Sequence, residues 1–129
     1  MQLHDFKLTG YTVSAQGSRI ALHLEYGYPN QPKEVSHIEF SEFAAYHFVH
    51  TGAAVITDIE EVPLADLLAS VGDRLAEWWR RHGGLRHWSD DRAAYLAKLE
   101  SAGLRAWEIS SSVGFEGFVI ARALGQKSA

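Results

Sequence analysis

The chain has 129 residues, 47% of them hydrophobic and 22% charged, with a formal net charge of −4 and no cysteine. That size holds one hydrophobic core and is too small for two independent ones, and the composition is that of a globular rather than a disordered protein. The missing cysteines exclude disulfides, thiolate metal sites and Cys nucleophiles; the acidic balance argues against a phosphate-backbone interface, so no nucleic-acid partner is expected.

The first 26 residues read as a hairpin. Ile20, Leu22, Leu24 and Tyr26 alternate with Ala21, His23 and Glu25, the period-2 pattern of a strand with one buried face. Ahead of them, Phe6 and Leu8 share one parity and Tyr11 and Val13 the other, so a bulge or bend at Gly10 is needed to bring both pairs to the same side. Ser14 to Arg19, with Gly17, supplies the turn. Gly27 to Pro32 reads as a loop. Val35 to Phe40 and Tyr46 to Val49 read as a third and a fourth strand. Thr51-Gly52 reads as a turn that folds Ala53 to Ile59 back on the preceding strand.

The strongest helical pattern follows. Leu64, Leu67, Leu68, Val71, Leu75, Trp78 and Trp79 recur at spacings of three and four, which predicts a helix from Leu64 to His82. Pro63 suits its first position, Arg80, Arg81 and His82 complement the C-terminal end of its dipole, and Gly83-Gly84 stops it. Gly72, at a cost of about 1 kcal/mol against Ala, reads as a site of close packing against the sheet. Ser89 is the expected N-cap of a second helix, with Asp90 and Asp91 in its first turn and Gly103 at its C′ position. Arg105 to Ser111 and Phe118 to Ala123 then read as a closing hairpin around Gly114 and Gly117.

Strands, two consecutive helices and strands again, without strict alternation, predict an α+β fold. The expected architecture is an antiparallel sheet of about six strands with both helices packed on one face. Residues 1–125 form a single domain, and 126–129 a frayed tail. There is no stretch near the ~18–20 apolar residues that span a bilayer and no basic region followed by an apolar run at the N-terminus, so a cytoplasmic protein with no membrane partner is expected. Residues 1–66 carry nine acids against Lys7, Arg19 and Lys33, while residues 67–129 carry nine bases against seven acids, an asymmetry that can steer a charged partner.

No motif specifies a reaction, and no cofactor is implied. His47 and His50, three apart on a strand, should point to opposite faces. A metal or acid–base centre would need His50 to meet Asp58 or Glu60 across the Thr51-Gly52 turn. Asp58, Glu60, Glu61 and Asp66 also suit the approach to a helix N-terminus. Ser110-Ser111-Ser112-Val113-Gly114 reads as a hairpin loop whose backbone N–H groups could cradle an anion. Arg80, Arg81, His82, Arg86, His87 and Trp88 make a basic–aromatic cluster. Trp78 and Trp79 lie about 100° apart around the helix, so one of them falls at the margin of the buried stripe and becomes an interface anchor.

Leu3-His4-Asp5, running into an alternating hairpin, resembles the start of several small bacterial α+β domains of uncharacterised role, some of them immunity proteins that neutralise a toxin of their own cell. Gly103-Leu104-Arg105-Ala106-Trp107 through Ser110–Gly114 resembles the closing hairpin of such a family. The resemblance covers only these two ends and brings no functional residues with it. Three readings follow. One is a cytoplasmic protein-binding module, immunity-like, that engages a protein partner or a second copy of itself through Trp78, Trp79, Arg80, Arg81 and Trp88. The second is a small metal-dependent or acid–base enzyme using His47, His50, Asp58 and Glu60. The third is a small-ligand binder with a pocket between sheet and helices.

Overall fold

The computed structural model describes residues 2–26 and 34–128. Its elements, in chain order, are β1 (Gln2–Ser14), β2 (Arg19–Tyr26), β3 (Glu34–Ser41), β4 (Ala45–Val62), α1 (Leu64–His82), α2 (Arg92–Ser101), β5 (Arg105–Ala121) and β6 (Ala123–Ser128). The strands form one antiparallel sheet in the order β5-β4-β1-β2-β3-β6, the α+β fold expected from the sequence. The sheet begins with β5 and ends with β6, yet only Arg122 separates these two strands in the chain. The sheet must therefore curl until its ends meet. Backbone bonds tie this junction, from Arg122 N–H to the Ser41 carbonyl (2.9 Å) and from Ala44 N–H to the Ile120 carbonyl (2.8 Å).

The curl creates two cores that share a wall. Its concave side encloses Phe6, Leu8, Ile20, Leu22, Leu24, Ile38, Phe40, Ile56, Trp107 and Val119, with Phe40 of β3 meeting Trp107 of β5 edge-on at 5.6 Å. The helices lie outside, on β4 and β5, over Ala45, Ala106, Phe118 and Ile120. The run Phe118-Val119-Ile120-Ala121 is accordingly buried on both faces, alternating between the two cores.

The first hairpin follows its pattern. Pairing slips between Leu8 and Gly10, so the bulge sits where the parity changes. The expected Gly27–Pro32 loop lies outside the described residues. Helix α1 has the predicted bounds and buries Leu67, Leu68, Val71 and Leu75. Pro63 is its N-cap rather than its first helical residue. Gly83 closes it with a positive φ and an N–H bond to the Trp79 carbonyl.

At Gly72 the nearest neighbour is a side chain of α2. A Cβ there would meet the guanidinium of Arg92, within 2.4 Å of its central carbon. Arg92 reaches from α2 across α1, bonding the Leu68 carbonyl (3.3 Å) and the Asp73 carboxylate (2.9 Å). The N-cap of α2 is Asp91, which accepts from Ala93 and Ala94 N–H, in place of the expected Ser89. The helix ends in a Schellman arrangement: Leu104 N–H bonds the Leu99 carbonyl, Gly103 N–H the Glu100 carbonyl, and both leucines are buried.

Both later hairpins expected from the sequence are instead two long strands lying side by side. β4 does not turn at Thr51-Gly52, nor β5 at Gly114–Gly117; each bends and runs on, and they pair from Ala45/Ile120 to Val62/Ala106. Register slips between His50 and Asp58 absorb the bend. Gly114, at φ 79°, is required there because a Cβ would lie 2.0 Å from the Ala53 carbonyl oxygen. β6 pairs with β3 through Ser128, with Gln126 opposite Ile38 and Ser128 opposite Ser36.

Candidate functional site

β1 and β4 pair only between Gln2/Asp58 and Leu8/Ala54. Among the described residues, no pairing joins Thr9–Ser14 to Ala45–Ala53, so the two strands splay. The far end of the opening is tied by Phe43 N–H to the Ser18 carbonyl (3.0 Å). The seam follows from two local events: the Gly10 bulge turns β1, and the bend after His50 turns β4.

Aromatic rings fill this seam. Tyr11 meets Phe48 edge-on at 5.1 Å, and Phe48 touches Tyr46 (5.2 Å) and Phe115 (5.1 Å). Phe43 meets Tyr46 edge-on at 5.4 Å, and His50 lies against Phe115 at 5.6 Å. Phe115 is buried and Phe43 and Phe48 are half-buried, whereas Tyr11, Tyr46 and His50 are exposed. Such a cluster has its apolar roots in the inner core and polar tips in solvent, the form that suits recognition of another surface. Sequence reading misses it because Tyr11 and Phe48 lie 37 positions apart and on strands whose pairing stops short of them. The parity change at Gly10 was the available signal, since it turns Tyr11 inward.

The interface residues expected on α1 divide. Trp78 is 51% exposed, against His82 at 4.6 Å, and matches the marginal position argued for one of the pair. Trp79 stacks on Trp88 at 5.8 Å, and Trp88 in turn packs on buried Tyr95 at 4.8 Å, so these rings chiefly fasten α1 to α2. Burial pushes the Tyr95 hydroxyl up to about 12. Arg80 and Arg81 both bond Glu77, at 2.5 and 2.8 Å. Arg86 bonds Ser18, and the Trp88 indole donates to Asp90 at 3.0 Å. Trp78 and Tyr46 also line one small cleft with His47 and Leu85, so the exposed end of α1 adjoins the ring-filled seam.

His47, His50, Asp58 and Glu60 are not brought together. All four lie along β4, which continues where a turn was needed to fold them onto one another. His47 faces Phe118 beneath α1, while His50 faces Tyr11 and Phe115 on the other side, as their spacing predicted. No group of three or more His, Cys, Asp or Glu that could hold a metal occurs among the described residues. In the acidic run, Glu61 accepts two bonds from Arg105, one of 2.8 Å, which hold its carboxyl below the ordinary range. Ser111 turns its hydroxyl to Val113 inside β5.

The larger spaces are open surface grooves. One of about 540 Å³ runs past Glu61, Leu64, Glu100 and Arg105. Another, of about 260 Å³, lies between α1 and β5 and brings His47, Ser70, Arg74, Glu108 and Glu116 to its walls. Among the described residues, no helix is long and apolar enough to cross a membrane. Comparison with protein-family models, curated proteins and solved structures finds no match.

Proposed function

We propose that this chain is a protein-binding module of the bacterial cytoplasm that accepts an extended segment of its partner at the seam between β1 and β4. The observation that carries the reading is the coincidence, in one place, of unpaired strand edges and an aromatic cluster with three exposed members. A strand without a neighbour offers backbone donors and acceptors that an added strand can satisfy, and the rings supply apolar contact for its side chains. Trp78, beside the same cleft, extends that contact onto α1. The immunity-like form of the proposal, in which the partner is a toxin of the same cell, draws on the resemblance of the two chain ends to such domains.

The test is affinity capture from lysate of the native host, comparing the wild type with Tyr11→Ser/Tyr46→Ser and with Glu108→Gln. The expected result is one stoichiometric partner, lost with the tyrosine variant and kept with Glu108→Gln, with an adjacent toxin-like reading frame encoding it. A monodisperse monomer that captures nothing, or a partner indifferent to the two tyrosines, overturns the reading.

A further inference from the structure

A second feature lies on the outer face of β2 and β3, away from the seam, and stands independently of the binding proposal. His23 and His37 are register partners. Their neighbours of opposite parity, Leu22, Leu24 and Ile38, are fully buried, so the two rings lie on the outward side, half-buried. The rings cross at 82°, and their Nδ1 atoms come within 2.8 Å of each other. Thr12 of β1 places its hydroxyl 3.0 Å from the other nitrogen of His23, Nε2.

With that hydroxyl accepting from Nε2–H, His23 presents an unprotonated Nδ1 toward His37, the arrangement by which an outer hydrogen bond orients a metal-binding imidazole. The register partner of His23 on β1 is Gly10, where even a Cβ would meet nothing within 4 Å, so that flank of the ring is open. Glu25 and Glu39, each two positions along from a histidine, share the same face, Glu39 in an ion pair with Arg19 at 3.2 Å. Lys127 of β6 stands opposite His37 in the register.

We propose that His23 and His37 form a binding site for a divalent transition-metal ion, Cu(II) in preference to Ni(II) and Zn(II), each coordinating through Nδ1 with solvent completing the sphere. The nitrogen separation suits a pair of cis ligands. With imidazole–metal bonds of about 2.0 Å, nitrogens 2.8 Å apart subtend about 90° at the ion. That is the cis angle of a tetragonal Cu(II) or Ni(II) site, and Cu(II) stands above both competitors in intrinsic affinity. Tetrahedral Zn(II) needs the nitrogens about 3.3 Å apart. The rival occupant of the gap is one proton shared between the two rings.

The test is calorimetric titration of the full chain with copper, nickel and zinc chlorides at neutral pH, joined to electron paramagnetic resonance of the copper form. One Cu(II) per chain is expected, with hyperfine structure from two imidazole nitrogens. His23→Gln and His37→Gln should each weaken Cu(II) binding about 100-fold, and Thr12→Val about tenfold, restored by Thr12→Ser. His4→Gln and His50→Gln should leave it unchanged. Thr12→Val carries the test without touching either ring, should a histidine variant fail to fold. Copper binding undiminished in His23→Gln/His37→Gln, binding lost with His4→Gln, or a wild type that takes up no more copper than the double variant would overturn the site and leave the gap to the shared proton.

Discussion

Gly72 is a glycine inside a helix, and helix propensity alone predicts that Gly72→Ala stabilises the chain by about 1 kcal/mol. The structure predicts otherwise. The new methyl would occupy the place of the Arg92 guanidinium, whose nearest atoms lie 2.4–2.6 Å from the ideal Cβ position. Arg92 must swing away, giving up its bonds to the Leu68 carbonyl and to Asp73. The ion pair is solvent-exposed, with Asp73 fully so, and such pairs contribute about 0–1 kcal/mol. The loss therefore offsets the propensity gain, and Gly72→Ala alone should fall within about 0.5 kcal/mol of the wild type. Arg92→Ala alone should cost about 1 kcal/mol. In the Arg92→Ala background the three nearest atoms are gone, and Gly72→Ala should then stabilise by about 1 kcal/mol. Urea unfolding of the four proteins in the cycle measures this coupling. A full gain from Gly72→Ala in the wild-type background would show that the Arg92 contact carries no energy. A loss above about 2 kcal/mol in both backgrounds would place the obstacle in the helix–sheet packing instead.

Three further outcomes follow from single contacts. Gly114→Ala should destabilise by about 2–5 kcal/mol, from a positive φ and a Cβ driven onto the Ala53 carbonyl; Gly103→Ala, equally left-handed but with open space around its Cβ, should cost only about 1–2 kcal/mol. Equal losses at the two sites in chemical denaturation would refute the steric account of the β4–β5 bend. Tyr95→Phe should hold or raise stability by about 1 kcal/mol, because the Tyr95 hydroxyl is buried without a hydrogen-bond partner among the described residues; a clear drop in thermal midpoint would contradict it. Arg105 holds the Glu61 carboxyl below its ordinary value of 4.5, so the stability that this pair contributes is complete above about pH 4.5 and is lost as the pH falls through the lowered value. The stability difference between wild type and Glu61→Gln should thus shrink in acid, and a difference unchanged from neutral pH down to about pH 3 would refute the assignment.

Local pattern carried much of this fold. The alternation from Ile20 to Tyr26 identified β2, the parity change at Gly10 located the bulge, and the stripe from Leu64 to Trp79 marked α1 to the residue. These features depend on neighbours a few positions apart, whose burial is legible as a period. Half-exposed Trp78 was legible for the same reason, since two adjacent tryptophans cannot both occupy the centre of one helical stripe.

Partnership between distant segments was not legible. Thr51-Gly52 and Gly114–Gly117 carry the residue types of turns, but whether a glycine reverses a strand or only bends it depends on what lies opposite. Here two bends face each other and both strands run on. That one outcome separates His50 from Asp58 and Glu60, removing the centre that a hairpin would have assembled, and opens the seam that Tyr11, Phe48 and Phe115 fill. The pairing of His23 with His37 has the same origin. Each looks like an ordinary outward residue of its own strand, and only the register between β2 and β3 sets their nitrogens 2.8 Å apart. Amino-acid order decided which residues turn inward, because burial is read along one strand or helix at a time. Which inward and outward residues meet was decided by register and by the curl that brings β5 and β6 together, since those depend on the whole sheet at once.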